Sequence, residues 1–452
     1  MFKRVLVANR GEIAVRVIRA LHENDVEAVA VYSTADADSL HVRMADRAVR
    51  VGPPAATDSY LKIPSLIAAA TTTGCEAVHP GYGFLAENPA FVEACADDDL
   101  VFIGPPADVM ARMGDKIEAK RELRAADVPL VPGTEEETTV EQAREAAEEV
   151  GYPVLLKASA GGGGKGMRLV HVPDELESAY GMAALEAEAA FGDGSLYLEK
   201  AVSPARHVEI QVLCDSLGGV LTLGERECSI QRRHQKLIEE SPSPALDTET
   251  REAMEASVER ACRAVGYEGA GTFEFLLGLE GEPYFIEVNC RLQVEHPVTE
   301  LLTGVDIVRE QVRIAAGEPL GVADRAPRKG HAIEVRINAE DPSRGFAPAP
   351  GLVARFRPPL GPGVRVDTAV EDGSSIPPFY DSLIAKVIVW DDDRPAALAR
   401  AVRALDELVV EGIPTTRELA LDVLRSDGFR SGAYSTGYLD EMEDHLPSLS
   451  SG

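Results

Sequence analysis

The residues best suited to chemistry lie on two short segments separated by a turn. Residues 271–277 and 284–289 have the composition and alternation of β-strands, and Glu280-Gly281 between them suits a hairpin turn. A turn centred there places two glutamates opposite each other on one face. The predicted pairs are Thr272 with Asn289, Glu274 with Glu287, and Leu276 with Phe285; the predicted apolar face holds Phe273, Phe275 and Leu277 against Tyr284, Ile286 and Val288.

Two carboxylates that face each other across a sheet are destabilising unless something neutralises them. Carboxylate and amide oxygens are the hard ligands that Mg²⁺ takes, usually beside substrate phosphates. We therefore predict a divalent metal, Mg²⁺ or Mn²⁺, at Glu274, Glu287 and Asn289. A surface hairpin with solvated glutamates is the alternative. Polar and charged side chains continue beyond the strand, which favours the metal-and-anion site; they are Arg291, Gln293, Glu295 and His296.

A run of glycines interrupts another pair of predicted strands between residues 152 and 168. The run, Gly161, Gly162, Gly163 and Gly164, is followed by Lys165 and then by Gly166, so it is not a Walker A loop, which needs Ser or Thr after the lysine. Four consecutive glycines lose much conformational entropy when they become ordered. The pattern predicts a lid whose backbone N–H groups fold onto phosphates, with a plain flexible hairpin as the alternative.

Residues 225–236 concentrate positive charge in a chain whose formal net charge is −30. That net charge argues against nonspecific binding to nucleic acid and to an anionic membrane surface. An anionic substrate therefore needs a local basic cluster. This segment could supply it, although a solvated basic loop is the alternative; its basic residues are Arg226, Arg232, Arg233, His234 and Lys236.

The chain has 452 residues, which predicts two to four domains, and its composition is that of an ordinary globular protein. No run approaches the roughly 18 apolar residues of a membrane span. The N-terminal segment has only a short apolar run at residues 5–8 and does not resemble a signal peptide, so we expect a cytoplasmic protein. Six scattered cysteines without a CxxC spacing suggest neither a disulfide framework nor a zinc site.

The elements that must position these residues change in type along the chain. Residues 1–112 alternate strands and helices, which predicts a mostly parallel, doubly wound sheet. The first strand is followed by a single glycine, Gly11, where a dinucleotide fingerprint needs three, so a Rossmann cofactor site is not expected. After residue 330, strands separated by Pro/Gly turns predict an antiparallel β-rich domain; they are 331–338, 352–357, 364–369 and 383–390.

Together these motifs closely resemble biotin carboxylase, the ATP-grasp component of biotin-dependent carboxylases. The resemblance covers essentially the whole chain, through VANRGEIA, HPGYGFLAEN, MGDK, KASAGGGGKGMR, RHVEIQ, ERECSIQRRHQK, GTFEFL, FIEVN, QVEHPVTE, VEVRINAEDP and PPFYDSLIAK. It implies an N-terminal Rossmann-like pre-ATP-grasp domain at 1–112, an ATP-grasp domain at 113–330 with a glycine-rich lid at about 131–203, and a C-terminal biotin carboxylase domain at 331–446.

The resemblance implies ATP- and bicarbonate-dependent carboxylation of biotin N1′ through carboxyphosphate. It assigns the metal to the hairpin residues already named, the base that deprotonates bicarbonate to Glu295, stabilisation of the biotin enolate to Arg336, and positioning of the ureido ring to Tyr82. It assigns ATP to Lys116, Lys157, Gly161, Gly162, Gly163, Gly164, Glu199, Lys200, His207, Gln231 and His234, and bicarbonate to Lys236, Arg291, Gln293 and the Val294 backbone.

No biotin-attachment sequence of the Ala-Met-Lys-Met kind is present, so biotin is expected on a separate carrier protein. The resemblance also implies a carboxyltransferase subunit, which binds the acetyl-CoA, propionyl-CoA, pyruvate or other acceptor. It further implies a homodimer with the helix that bears Arg19 and Glu23 near the contact and Arg365 nearby. Two alternatives stay open: another ATP-grasp ligase, and an inactive ATP-binding regulatory subunit.

Overall fold

The structure is a computed structural model that describes residues 1–159, 166–233, 235–278, 280–321, 326–442 and 448. Across those ranges, none of the helices has both the length and the apolar character needed to cross a membrane.

The N-terminal part alternates strands with helices, in the order β1 (Arg4–Val7), α1 (Gly11–His22), β2 (Glu27–Ser33), α2 (Leu40–Met44), β3 (Arg47–Gly52), α3 (Ile63–Thr73), β4 (Ala77–His79), α4 (Pro89–Asp97), β5 (Val101–Phe102) and α5 (Ala107–Gly114). The five strands are parallel and lie in the order β3-β2-β1-β4-β5. Leu6 of β1 packs into one apolar cluster, and its neighbours Val5 and Val7 pack into another. Both faces of the sheet are therefore buried, as the doubly wound prediction requires.

A smaller unit follows, composed of α6 (Lys116–Ala125), α7 (Val140–Val150), β6 (Val154–Ala158), β7 (Met167–Val170), α8 (Leu176–Phe191) and β8 (Leu196–Lys200). β6 lies between β7 and β8 and pairs antiparallel with both. α7 begins at a capping box, in which the side chains of Thr139 and Gln142 each accept a hydrogen bond from the other residue's backbone N–H. The buried side chains of α7, α8 and this sheet form apolar clusters of their own.

The middle of the chain contains β9 (Arg206–Cys214), β10 (Val220–Arg232), β11 (Gln235–Ser241), α9 (Thr248–Val265), β12 (Gly269–Leu277), β13 (Pro283–Asn289), α10 (His296–Thr303) and α11 (Ile307–Ala315). The C-terminal part contains β14 (His331–Asn338), β15 (Glu340–Asp341), β16 (Ala347–Pro348), β17 (Gly351–Leu352), β18 (Arg355–Arg357), β19 (Val364–Thr368), β20 (Ser375–Ile376), β21 (Leu383–Asp391), α12 (Arg394–Glu407), β22 (Val409–Glu411), α13 (Arg417–Arg425), α14 (Asp427–Ser431) and α15 (Tyr438–Glu441). Short 3-10 helices lie at Thr34–Asp36, Ala56–Asp58, Pro173–Glu175 and Pro342–Arg344.

An eight-stranded antiparallel sheet crosses the predicted boundary at residue 330. Its strand order is β13-β12-β9-β10-β11-β14-β21-β19. β11 pairs directly with β14, so the predicted C-terminal strands extend the sheet that begins with the hairpin. The structure contradicts one of the predicted strands. Residues 352–357 do not form one strand, because β17 pairs with β20 while β18 pairs with β22.

β12 and β13 form the predicted hairpin. Thr272 lies opposite Asn289, and Glu274 lies opposite Glu287, as the alternation predicts. The two glutamates therefore project from the same face of neighbouring strands.

A β-bulge at Ile286 changes the register nearer the turn and corrects the prediction there. β13 has one extra residue at this point, so Leu276 lies opposite Tyr284 rather than Phe285. Phe285 turns into the apolar core, where its ring centroid lies 6.0 and 6.4 Å from those of two other phenylalanines. Ile286 leaves the predicted apolar face and lines a cavity.

Candidate active site

A cavity of about 910 Å³ lies between the N-terminal sheet, the β6–β8 unit and the eight-stranded sheet. It brings together most of the predicted site residues: Tyr82, Lys116, Lys157, His207, Gln231, Lys236, Glu274, Glu287, Asn289, Arg291, Gln293, Val294, Glu295 and Arg336. The predicted residues Gly161, Gly162, Gly163, Gly164 and His234 lie outside the described part of the chain. Among the predicted residues that the structure does describe, Glu199 and Lys200 do not line the cavity.

The two predicted carboxylates belong to a longer row of charged side chains that runs across four neighbouring strands. Glu274 lies opposite Glu287 on one side and Glu209 of β9 on the other, and Glu209 in turn lies opposite Arg226 of β10. The prediction missed Glu209. Its signal was present in the sequence, because Glu209 alternates with the polar residues His207 and Gln211, and the residues between them are apolar.

Lys236 lies at the centre of three carboxylates. Its Nζ donates to Glu209 Oε2 at 2.6 Å, to Glu295 Oε1 at 2.7 Å and to Glu274 Oε1 at 2.9 Å. Burial favours the neutral amine, but these three carboxylates raise the pKa of Lys236 well above its ordinary value. The site therefore contains a permanently charged ammonium group beside the proposed metal ligands.

The hairpin carboxylates fit a divalent metal. Glu274 accepts hydrogen bonds from Asn289 Nδ2 at 2.9 Å and Gln293 Nε2 at 3.1 Å, besides the one from Lys236. Glu287 faces it with no hydrogen bond or ion pair to any residue that the structure describes, and burial, followed by the charge of Glu274, raises the pKa of Glu287. A divalent cation would neutralise this surplus negative charge, and the donors are the oxygens that Mg²⁺ takes.

Glu295 is fully buried at the start of α10, where it faces two cations. It accepts from Lys236 Nζ at 2.7 Å and from an Arg336 guanidinium nitrogen at 3.0 Å. Burial alone would raise its pKa, but Lys236 and Arg336 hold the pKa of Glu295 well below its ordinary value. The carboxylate is therefore ionised.

Arg336 is held between two carboxylates. Besides its contact with Glu295, its Nε donates to Glu239 Oε1 at 2.6 Å. Burial raises the pKa of Glu239 to about 7, and the charge of Arg336 opposes that effect. The prediction missed Glu239, which lies on β11 between Ile238 and Glu240.

The segment between β13 and α10 is also held by residues that the prediction missed. Glu87 accepts from Arg291 Nε and from the Cys290 backbone N–H, both at 2.9 Å. Lys386 is fully buried and its Nζ donates to the Val294 carbonyl at 2.8 Å. Both partners come from distant parts of the chain, so local sequence spacing gave no sign of them.

The predicted lysines of the nucleotide side lie in different surroundings. Lys157 Nζ lies 2.5 Å from Glu199 Oε2. Burial lowers the pKa of Lys116, and the positive charge of Lys157 adds to this effect. Lys200 points elsewhere, since its Nζ donates to the carbonyls of residues 151 and 152 at 2.9 and 3.0 Å.

Three family profiles match the chain in succession. Residues 1–110 match the biotin carboxylase N-terminal domain, residues 115–323 match the carbamoyl-phosphate synthase L chain ATP binding domain, and residues 334–441 match the biotin carboxylase C-terminal domain. The chain is 52% identical to biotin carboxylase of Nostoc sp., over 98% of this chain and 99% of that protein. It is 49% identical to a pyruvate carboxylase subunit of Methanothermobacter thermautotrophicus, over 98% of this chain and 90% of that protein.

Two solved structures have the same fold. The biotin carboxylase–β,γ-ATP complex of Campylobacter jejuni superposes with a TM-score of 0.95 at 46% identity, over 98% of this chain and 99% of that one. The biotin carboxylase domain dimer of Hydrogenobacter thermophilus 2-oxoglutarate carboxylase, with MgADP, ADP and bicarbonate, superposes with a TM-score of 0.94 at 48% identity, over 99% and 98% of the two chains. The predicted fold class is confirmed, and the chain belongs to the biotin carboxylase family.

Proposed function

We propose that this protein uses ATP and bicarbonate to carboxylate biotin N1′ on a separate carrier protein. The observation that carries the proposal is the buried Glu295, which lies between Lys236 and Arg336 inside a cavity that also contains the hairpin carboxylates. One cavity thus contains a base for bicarbonate, cationic groups that can bind an anion, and a positive charge for the biotin acceptor. Groups suited to binding phosphate lie next to them.

The residues on the nucleotide side of the cavity serve to align ATP and to neutralise the charge of its phosphates. Phosphoryl transfer depends mainly on alignment and on neutralising the phosphate oxygens. Lys116 and Lys157 would bind the phosphates of ATP, with His207 and Gln231 lining the same side of the cavity. Mg²⁺ or Mn²⁺ on Glu274, Glu287 and Asn289 would screen the charge of the phosphates when it is bound.

The bicarbonate side supplies the nucleophile. Lys236, Arg291 and Gln293 would hold bicarbonate beside Glu295, whose ionised carboxylate takes its proton. The deprotonated oxygen attacks the γ-phosphorus, the bond to ADP breaks, and carboxyphosphate forms. Carboxyphosphate then breaks down to CO₂ and phosphate, the released phosphate takes the proton from N1′ of biotin, and N1′ attacks the CO₂.

Arg336 and Tyr82 form the biotin end of the cavity. The Arg336 guanidinium would stabilise the negative charge that develops on the ureido oxygen when N1′ loses its proton. Tyr82 donates its hydroxyl hydrogen bond to Glu12, which fixes the ring at the cavity wall.

We further assign an N-terminal domain to residues 1–112, an ATP-grasp domain to 113–330 and a C-terminal domain to 331–446. The separate apolar clusters of α7, α8 and the three-stranded sheet support a lid at about 131–203 that closes over labile carboxyphosphate and excludes water.

The proposed assembly is a cytoplasmic homodimer that works with a biotin carrier and a carboxyltransferase subunit. The Hydrogenobacter domain is a dimer, and the Methanothermobacter relative is named as one subunit of its carboxylase. Arg19 is exposed on α1 and Arg365 is partly exposed, which suits a contact near both. A monomer mass at micromolar concentration in light scattering would contradict the dimer.

ADP release, measured with and without bicarbonate and free biotin, tests the proposed reaction. We expect bicarbonate-dependent release that biotin stimulates, with carboxybiotin as the product. ADP release that does not depend on bicarbonate would overturn the proposal in favour of a regulatory ATP-binding protein. Bicarbonate-dependent release without any response to biotin would favour a different ligase.

A further inference from the structure

Lys120 is a buried lysine behind the nucleotide side of the cavity. It lies on α6, one helical turn beyond Lys116, and does not line the cavity itself. Its Nζ forms an ion pair with Glu199 Oε1 and lies 4.1 Å from the centre of the Tyr197 ring, which does line the cavity. None of the sequence motifs pointed to this lysine.

Glu199 is shared between two lysines with different surroundings. Lys120 binds one carboxylate oxygen and Lys157 binds the other, and the carboxylate side chain is only 3% exposed. Lys157 faces the cavity, whereas Lys120 lies behind it. Burial would raise the pKa of Glu199, but these two ammonium groups hold it below its ordinary value.

A buried carboxylate that loses its counter-charge is strongly destabilised. If Lys157 were the only cation on Glu199, contact between Lys157 and a phosphate would compete with this ion pair. With Lys120 in place, Glu199 keeps a charged partner when Lys157 turns toward the phosphates. Both ion pairs can form at the same time because each lysine contacts a different oxygen of Glu199.

We propose that Lys120 is a positioning residue that holds Glu199 so that Lys157 is available to the phosphates of ATP. The inference rests on the proposed function, which places the phosphates beside Lys157, and it adds a residue that does not line the cavity. It predicts an effect confined to nucleotide binding, since Lys120 has no contact with the bicarbonate side.

The test compares Lys120→Met, the charge-conserving Lys120→Arg and the control Arg121→Met, whose side chain is 72% exposed on the same helix. Titration with the non-hydrolysable analogue AMP-PNP and Mg²⁺ measures affinity without turnover. We expect Lys120→Met to weaken AMP-PNP binding about tenfold to hundredfold, the range for one hydrogen bond to a charged group. Lys120→Arg should retain most of the affinity, because a guanidinium keeps a positive charge on Glu199.

The KM for bicarbonate should be unchanged in all variants that turn over. Unaltered AMP-PNP affinity in Lys120→Met would overturn the inference. So would Lys120→Arg binding as weakly as Lys120→Met, since that result indicates a packing defect and not the loss of a charge. If Lys120→Met does not fold, Lys120→Gln takes its place with the same expectations. Failure of the proposed function would appear separately, as absent bicarbonate-dependent ADP release in the unaltered protein.

Discussion

Replacing Arg336 with methionine separates the two halves of the proposed reaction. Methionine keeps much of the side-chain length and removes the charge. The structure indicates that the site survives this change. Glu295 retains Lys236 at 2.7 Å, and Glu239, whose pKa already lies at about 7, can take up a proton instead of staying buried as an unpaired charge.

The expected losses differ between the two steps. A preorganised donor to a developing oxyanion contributes about 10²–10³ in rate, or about 3–4 kcal/mol, so carboxylation of biotin should fall by that factor. Bicarbonate-dependent ADP release in the absence of biotin should fall by no more than about tenfold. Loss of Arg336 removes one cation from Glu295, which raises the pKa of that carboxylate and makes it a stronger base.

The assay follows fixation of labelled bicarbonate into free biotin and, separately, ADP release without biotin. Arg355→Met serves as the control, because Arg355 is half exposed and its ion pair with Glu411 is 3.6 Å long. Equal loss of both activities in Arg336→Met would refute the assignment of Arg336 to the biotin step. It would place the guanidinium in the activation of bicarbonate instead.

Glu295→Gln should reduce bicarbonate-dependent ADP release by about 10²–10⁴ while AMP-PNP binding stays within about twofold of the unaltered protein, because only the base is removed; weakened nucleotide binding would contradict its role. Glu274→Gln should raise the Mg²⁺ concentration needed for half-maximal ADP release, and an unshifted metal titration would remove Glu274 from the metal site. Glu240→Gln should cost about 3 kcal/mol of stability at pH 7, because hydrogen bonds and charges from His331 and Arg394 lower the pKa of this buried carboxyl from 4.5 to about 2. This contribution to the free energy of unfolding is complete above pH 4.5 and disappears as the pH falls toward 2. In urea unfolding, the two proteins should therefore differ in stability at pH 7 and have nearly equal stability near pH 2.

The hairpin shows how far local alternation predicts this site. Strand period two placed Glu274 opposite Glu287, and the structure agrees. The same rule failed nearer the turn, at Ile286, because the rule assumes a regular ladder. Phe285 gains more by packing among other aromatic rings than by keeping the ladder regular, and only the folded core determines that balance.

The carboxylates that the prediction missed share one role, which is to hold a cation that faces the cavity. Motifs and spacing could identify the cations, because they lie in dense local patterns. Their carboxylate partners lie far away in the chain and meet them only through strand pairing and domain packing. Glu209 alone had a local sign. The pairs are Glu209 with Lys236, Glu239 with Arg336, and Glu87 with Arg291.

This pairing explains how a chain with a net charge of −30 can bind anionic substrates. The average surface repels ATP and bicarbonate, so the cavity must attract them over a short range. Its cations stay charged and aligned before any substrate arrives because buried carboxylates hold them. Charges that are fixed in this way before binding are the ones that contribute most to catalysis.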